Sequence, residues 1–135
     1  MNMLSPVNDL SKTLTCISQP ARIQILLGLG LQEACVCHLE TALGMSQASI
    51  SQHLMILRKS GLVVTRREGR HIYYSLSNPA LLDIFRQTAK FNGVDLEPFE
   101  KSTVFPLLGC TCPGCIPDID PKLACTKARK DGKTT

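Results

Sequence analysis

The tightest constraint on this chain lies in residues 35–76, where two helical periodicities meet at a very short turn and then give way to strand alternation. The spacing predicts a short helix over about 35–43, closed by Gly44. A second helix is predicted over 46–60, with the Ser46 side chain accepting a hydrogen bond from one of the orphan backbone N–H groups of its first turn. Ile50, Leu54 and Leu57 fall on one face of that second helix. The opposite side shows Gln47, Ser51 and Arg58, with Ser49, Gln52 and His53 on its flanks. Gly61 stops the helix, and residues 62–66 and 71–76 read as two short strands around the turn Arg67-Glu68-Gly69-Arg70. Two helices joined by Leu43-Gly44-Met45, the second polar on its outer face, match a helix-turn-helix whose second helix enters the major groove, and the hairpin is its wing.

The rest of the chain builds around this unit. Val7, Leu10, Leu14 and Ile17 recur at three- and four-residue spacing and predict a helix over about 6–17. Pro20 opens another that runs to Gly30. Asn78-Pro79 restarts a helix on which Leu81, Leu82, Ile84, Phe85, Thr88 and Phe91 form a wide apolar arc. So wide an arc needs a partner, and the expectation is a two-fold homodimer that packs this helix and the first one against their copies. The fold class is therefore mainly α with a small β-hairpin wing, a homodimeric winged helix-turn-helix. Residues 1–92 are expected to form the DNA-binding and dimerisation domain, and 93–135 a Cys/Pro-rich C-terminal tail.

Charge supports the same assignment. The net charge is only +4, but residues 46–75 carry Arg58, Lys59, Arg66, Arg67 and Arg70 against the single acid Glu68. A local basic patch on a near-neutral body is the footprint of phosphate binding. Gln47, Ser49, Ser51, Gln52 and His53 can reach base edges or phosphates from the groove-facing helix of double-stranded operator DNA, while Arg67 and Arg70 grip phosphates and the minor groove. The opening MNMLSPVNDLSK lacks the features of a secretory signal, and the apolar stretch 23–31 falls short of a membrane span of roughly 20 residues. A cytoplasmic chain with no membrane partner is expected. Its seven cysteines then read as metal ligands or redox groups rather than disulfides. An enzyme is disfavoured: no nucleophile sits beside a base, no glycine loop cradles phosphate, and Cys112-Pro113-Gly114-Cys115 lies outside any βαβ context.

The run 18–26 (SQPARIQIL), the stretch Ala34-Cys35-Val36-Cys37-His38-Leu39, the helix SQASISQHLMILRKSGLV and the wing RREGRHIYYSL together resemble the ArsR/SmtB family of metalloregulatory repressors, over about residues 8–92. The resemblance implies a homodimer that represses a detoxification or efflux operon in its apo form and dissociates when effector binds. It also marks Cys35 and Cys37 as the effector site.

A two-residue offset sets side chains about 200° apart around an ideal helix, so ligation by Cys35 and Cys37 is expected to unwind the first helical turn. Two thiolates are too few for a selective soft-ion site. Where arsenite-sensing relatives place a third cysteine, this chain has Glu40. The search moves to Cys110, Cys112 and Cys115 in the tail, on the same subunit or across the dimer. Alternatively the tail forms a separate site of its own, with Cys125 as fourth ligand. Cys16 reads as core. The paired carboxylates and histidines of the family's zinc site on the last helix are missing, since Asp83 has no histidine partner there. Sulfur-only ligation favours As(III), Sb(III), Cd(II) or Pb(II) as the effector ion. A thiol redox or persulfide sensor of the same fold is the alternative.

Overall fold

The computed structural model describes residues 4–104, 107, 110–113, 115–120 and 123–124. Among the described residues six helices and one hairpin follow in the order α1 (Leu4–Ile17), α2 (Pro20–Leu29), α3 (Val36–Leu43), α4 (Gln47–Lys59), β1 (Val63–Glu68), β2 (His71–Leu76), α5 (Leu81–Asn92) and α6 (Glu97–Ser102). The hydrophobic pattern explains the core. Ile25, Leu26 and Leu29 of α2, Leu39 of α3 and Ile50, Leu54 and Leu57 of α4 are completely buried. Each such side chain contributes roughly 1.5–3 kcal/mol relative to exposure. Gly28 lets α3 approach α2 closely, since a Cβ there would already touch Leu39 Cδ2 at 3.4 Å and Leu43 Cδ2 at 3.6 Å.

Ser46 caps α4 as its chemistry suggests, its hydroxyl oxygen accepting from the Ser49 N–H at 3.1 Å. The wing is an antiparallel ladder running from Val63 opposite Leu76 to Glu68 opposite His71. Its turn is tighter than the expected Arg67–Arg70 loop. Only Gly69 and Arg70 remain unpaired, and Gly69 takes the positive φ of 60° that the first position of such a turn demands. Arg67 thus belongs to β1. The last long helix also starts later than the proline suggested. Asn78 Oδ1 accepts from the Ala80 N–H at 3.0 Å, which holds 78–80 as a turn, and α5 begins at Leu81.

The wing is attached to the segment before α3. Ala34 and Tyr74 form an isolated antiparallel bridge, with Ala34 N–H donating to the Tyr74 carbonyl at 2.9 Å and Tyr74 N–H to the Ala34 carbonyl at 2.8 Å. Arg66 of β1 donates from Nε to both Glu33 oxygens and from Nη1 to Glu68, and its guanidinium stacks 4.8 Å from the Tyr73 ring centroid. The Arg66 hydrogen bonds hold the Glu33 carboxyl below its ordinary range. α1 shows Leu4, Val7, Leu10 and Leu14 to solvent, at least half exposed. Phe91 on α5, placed by the sequence in the apolar arc, is 91% exposed in the single chain. Among the described residues no helix is long and apolar enough to cross a membrane.

Candidate metal centre and nucleic-acid interface

The expected groove-reading side chains lie on α4 and the wing. Gln47, Ser51 and Gln52 are exposed, as are Arg67 and Arg70, while Ser49 is half-buried. His53 is half-buried too and has a protein partner, its Nδ1 accepting from Arg22 Nε of α2 at 3.2 Å. Arg22 also donates to the Cys16 carbonyl at 3.0 Å, so this pair ties α4 to the α1–α2 corner. Cys16 itself packs against the core and donates to Ser60 Oγ at 3.4 Å.

The cysteines of two distant segments converge. Cys35, Cys37, Cys110, Cys112 and Cys115 form one buried cluster, covered by Tyr73 of the wing and by Leu107. The tail cysteines therefore reach the Cys35/Cys37 pair of their own chain. The expected geometry of that pair is corrected. Cys35 stands at the N-cap of α3 with an extended backbone, φ −87° and ψ 169°, so it lies outside the helix and is free of the helical 100° step. Its sulfur sits 3.3 Å from that of Cys37, and no turn has to unwind to bring them together. The sulfurs of Cys35, Cys37 and Cys112 all lie within 4.8 Å of one another. Cys112 occupies the place for which the sequence, with Glu40 in α3, offers no local candidate. Cys125 lies outside the described residues.

A residue unused by the sequence argument completes the cluster. His38, one position past Cys37, is fully buried on α3. Its Nε2 is 2.9 Å from the Thr103 carbonyl and its Nδ1 is 3.2 Å from Cys115 Sγ. Its adjacency to the Cys35-Val36-Cys37 run was the available signal; helical spacing from Cys35 was not, because Cys35 lies outside α3. Burial disfavours the charged ring, but hydrogen bonds to Cys110 and Cys112, with the Thr103 carbonyl, outweigh it and hold His38 up at about 9. Cys112 is held down to about 5, foremost by its hydrogen bond with Cys110 and further by Cys37 and His38. Burial pushes Cys115 upward. The His38 and Cys112 shifts both run in the direction of a charged imidazole and an ionised sulfur, within a buried cluster of soft donors.

A polar recognition helix behind a short turn, an arginine-bearing wing and a hydrophobic tri-helical core define a winged-helix DNA-binding protein. Residues 19–65 match the family described as bacterial regulatory protein, arsR family. The chain is 34% identical over 86 residues to a transcriptional repressor SmtB homolog of Synechocystis sp., covering 64% of this chain and 65% of that one. It is 47% identical over 62 residues to the arsenical resistance operon repressor of Escherichia coli, covering 45% and 53% respectively. The chain therefore spans less than two thirds of the length of these curated relatives. The crystal structure of NolR from Sinorhizobium fredii matches with a TM-score of 0.60 at 34% identity, over 70% of this chain and 100% of that one. The chain belongs to the ArsR/SmtB family of transcriptional regulators, a family of DNA-binding regulators rather than enzymes.

Proposed function

We propose that this protein is a cytoplasmic, homodimeric repressor that binds palindromic operator DNA without effector and releases it when As(III) or Sb(III) binds Cys35, Cys37 and Cys112. The observation that carries the reading is the convergence of these three sulfurs in a buried site beside the wing. A trivalent metalloid forms three bonds and keeps a lone pair, so a three-thiolate set suits it. Arsenite exchanges three As–O bonds for three As–S bonds, and the three hydroxides leave as water with protons drawn from the thiols and the surrounding centre. No electrons change hands. In this reading residues 1–92 carry the DNA and dimer contacts, and the tail brings the third sulfur.

The exposed apolar face of α1 supports dimerisation, together with the groove between α1 and α5 lined by Leu14, Ile23, Ile84 and Phe85. Gln47, Ser51 and Gln52 read the major groove; Ser49 and His53 flank them, and Arg67 and Arg70 hold phosphates.

Ligation reaches the wing through the backbone. Cys35 adjoins Ala34, which is hydrogen-bonded to Tyr74 of β2, and Glu33 holds Arg66 of β1. Pulling Cys35 onto an ion shifts the strand that orients Arg67 and Arg70. Amide exchange at Ala34 and Tyr74 is therefore expected to quicken about tenfold or more on As(III) binding. Unchanged exchange at both, with DNA still released, would move the path elsewhere.

The deciding experiment titrates reduced protein with As(III), Sb(III), Cd(II) and Pb(II) while following operator binding by fluorescence anisotropy. Release by As(III) and Sb(III) at the lowest concentrations is expected. In Cys112→Ser the half-release concentration should rise about tenfold or more, because a bidentate pair retains the ion less well than three sulfurs. Release by a persulfide donor but by none of these ions would assign the fold to thiol-oxidation sensing instead.

A further inference from the structure

The three-sulfur set leaves His38, Cys110 and Cys115 without a role. We infer that His38, Cys110, Cys112 and Cys115 form a second, closed site for a tetrahedral d10 cation, zinc in the first place, which fastens the tail to α3. One donor atom from each of these four residues lies within 4.8 Å of every other, and all four residues are buried. Four points so spaced share a centre no more than about 2.9 Å from each, against bond lengths of about 2.3 Å for Zn–S and 2.0–2.1 Å for Zn–N. Each donor then moves inward by less than about 1 Å to ligate.

The histidine argues most strongly for a metal. The Thr103 carbonyl can only accept a hydrogen bond, so Nε2 at 2.9 Å carries a proton. Nδ1 is then the nitrogen whose lone pair, once its own proton has left, faces Cys115 and the other sulfurs. A ring anchored through one N–H to a backbone carbonyl, with the other nitrogen aimed at ligands, is the arrangement of metal-bound histidine. Thr103 is itself held in place: it is 2% exposed, and its carbonyl also accepts from Gln32 Nε2 at 2.9 Å. Three sulfurs and one imidazole with no exposed position make a closed Cys3His set, which suits a structural ion rather than one that must exchange quickly. Cys112 belongs to both groups of donors. Its sulfur is thus positioned for Cys35 and Cys37 by the ion that holds the tail.

The test uses reduced, metal-free full-length protein, Zn(II) in competition with a chromophoric chelator, and Co(II) as a spectroscopic substitute. One Zn(II) per chain is expected, with X-ray absorption giving three sulfurs and one nitrogen and with tetrahedral Co(II) ligand-field bands. The Cys35→Ser/Cys37→Ser double variant should bind it within about threefold of wild type. Cys115→Ser should lose about 100-fold in affinity, and His38→Gln about tenfold or more with loss of the nitrogen from the absorption spectrum. His38 is buried, so its variant is accompanied by circular dichroism; Cys115→Ser carries the test independently, since it alters only the tail. Zinc affinity unchanged in Cys115→Ser, or lost in the Cys35/Cys37 double variant, would overturn the site. Neither measurement involves DNA or As(III), so failure here leaves the proposed switch standing.

Discussion

Replacing Cys35 and Cys37 together by serine is expected to leave operator binding by the metal-free protein within about threefold of wild type, and to raise the As(III) concentration for half-release by about 100-fold or more. The two parts of this result have separate causes. Serine is nearly isosteric with cysteine, and neither position lies on the exposed face of α4 or on the wing strands, so the groove-reading surface is undisturbed. The loss of response follows from donor softness. A hydroxyl oxygen stays protonated and is a hard ligand, so only one of the three converging sulfurs remains. A hundredfold weakening corresponds to about 2.7 kcal/mol. Anisotropy of labelled operator against As(III), for wild type and variant, checks both halves at once. A double variant that releases DNA at the wild-type concentration would remove these residues from the switch, and one that no longer binds operator would show that the cap of α3 is needed to hold α4.

The second large effect is expected at the wing. Arg67→Ala/Arg70→Ala removes two exposed cations per subunit, four in a dimer. If each contacts a phosphate, the slope of log affinity against log salt becomes shallower by about 3.6, which is a loss of about 10²–10³-fold at physiological salt. The loss should be similar for operator and random duplex, because phosphates carry no sequence information. Gln52→Ala, by contrast, should alter preference among sequences with little change in slope. Operator binding measured across a salt series separates the two, and an unchanged slope in the arginine variant would place the wing away from the DNA. Arg66 is not a substitute, since its guanidinium is already held by Glu33 and Glu68.

How much of this molecule its sequence determined follows from the range of the interactions involved. The periodicity of Ile50, Leu54 and Leu57, the Ser46 cap, the stop at Gly61 and the alternation of the wing are decided within a turn or a strand, where neighbouring residues settle their own conformation. The helix-turn-helix was legible for that reason. Boundaries that depend on one hydrogen bond were not: Asn78 defers the start of α5 to Leu81, and the Glu68–His71 pairing shortens the hairpin turn. The cysteine centre belongs to the tertiary structure. Its donors were visible as Cys35, Cys37, Cys110, Cys112 and Cys115, but whether they meet depends on how residues 77 positions apart, such as His38 and Cys115, are brought together. Ideal helix geometry misled at Cys35, because whether a residue is the cap or the first helical position is settled by the strand-like bridge of its neighbour Ala34 to Tyr74. That bridge is a contact across the fold, and it places the soft donors beside the wing.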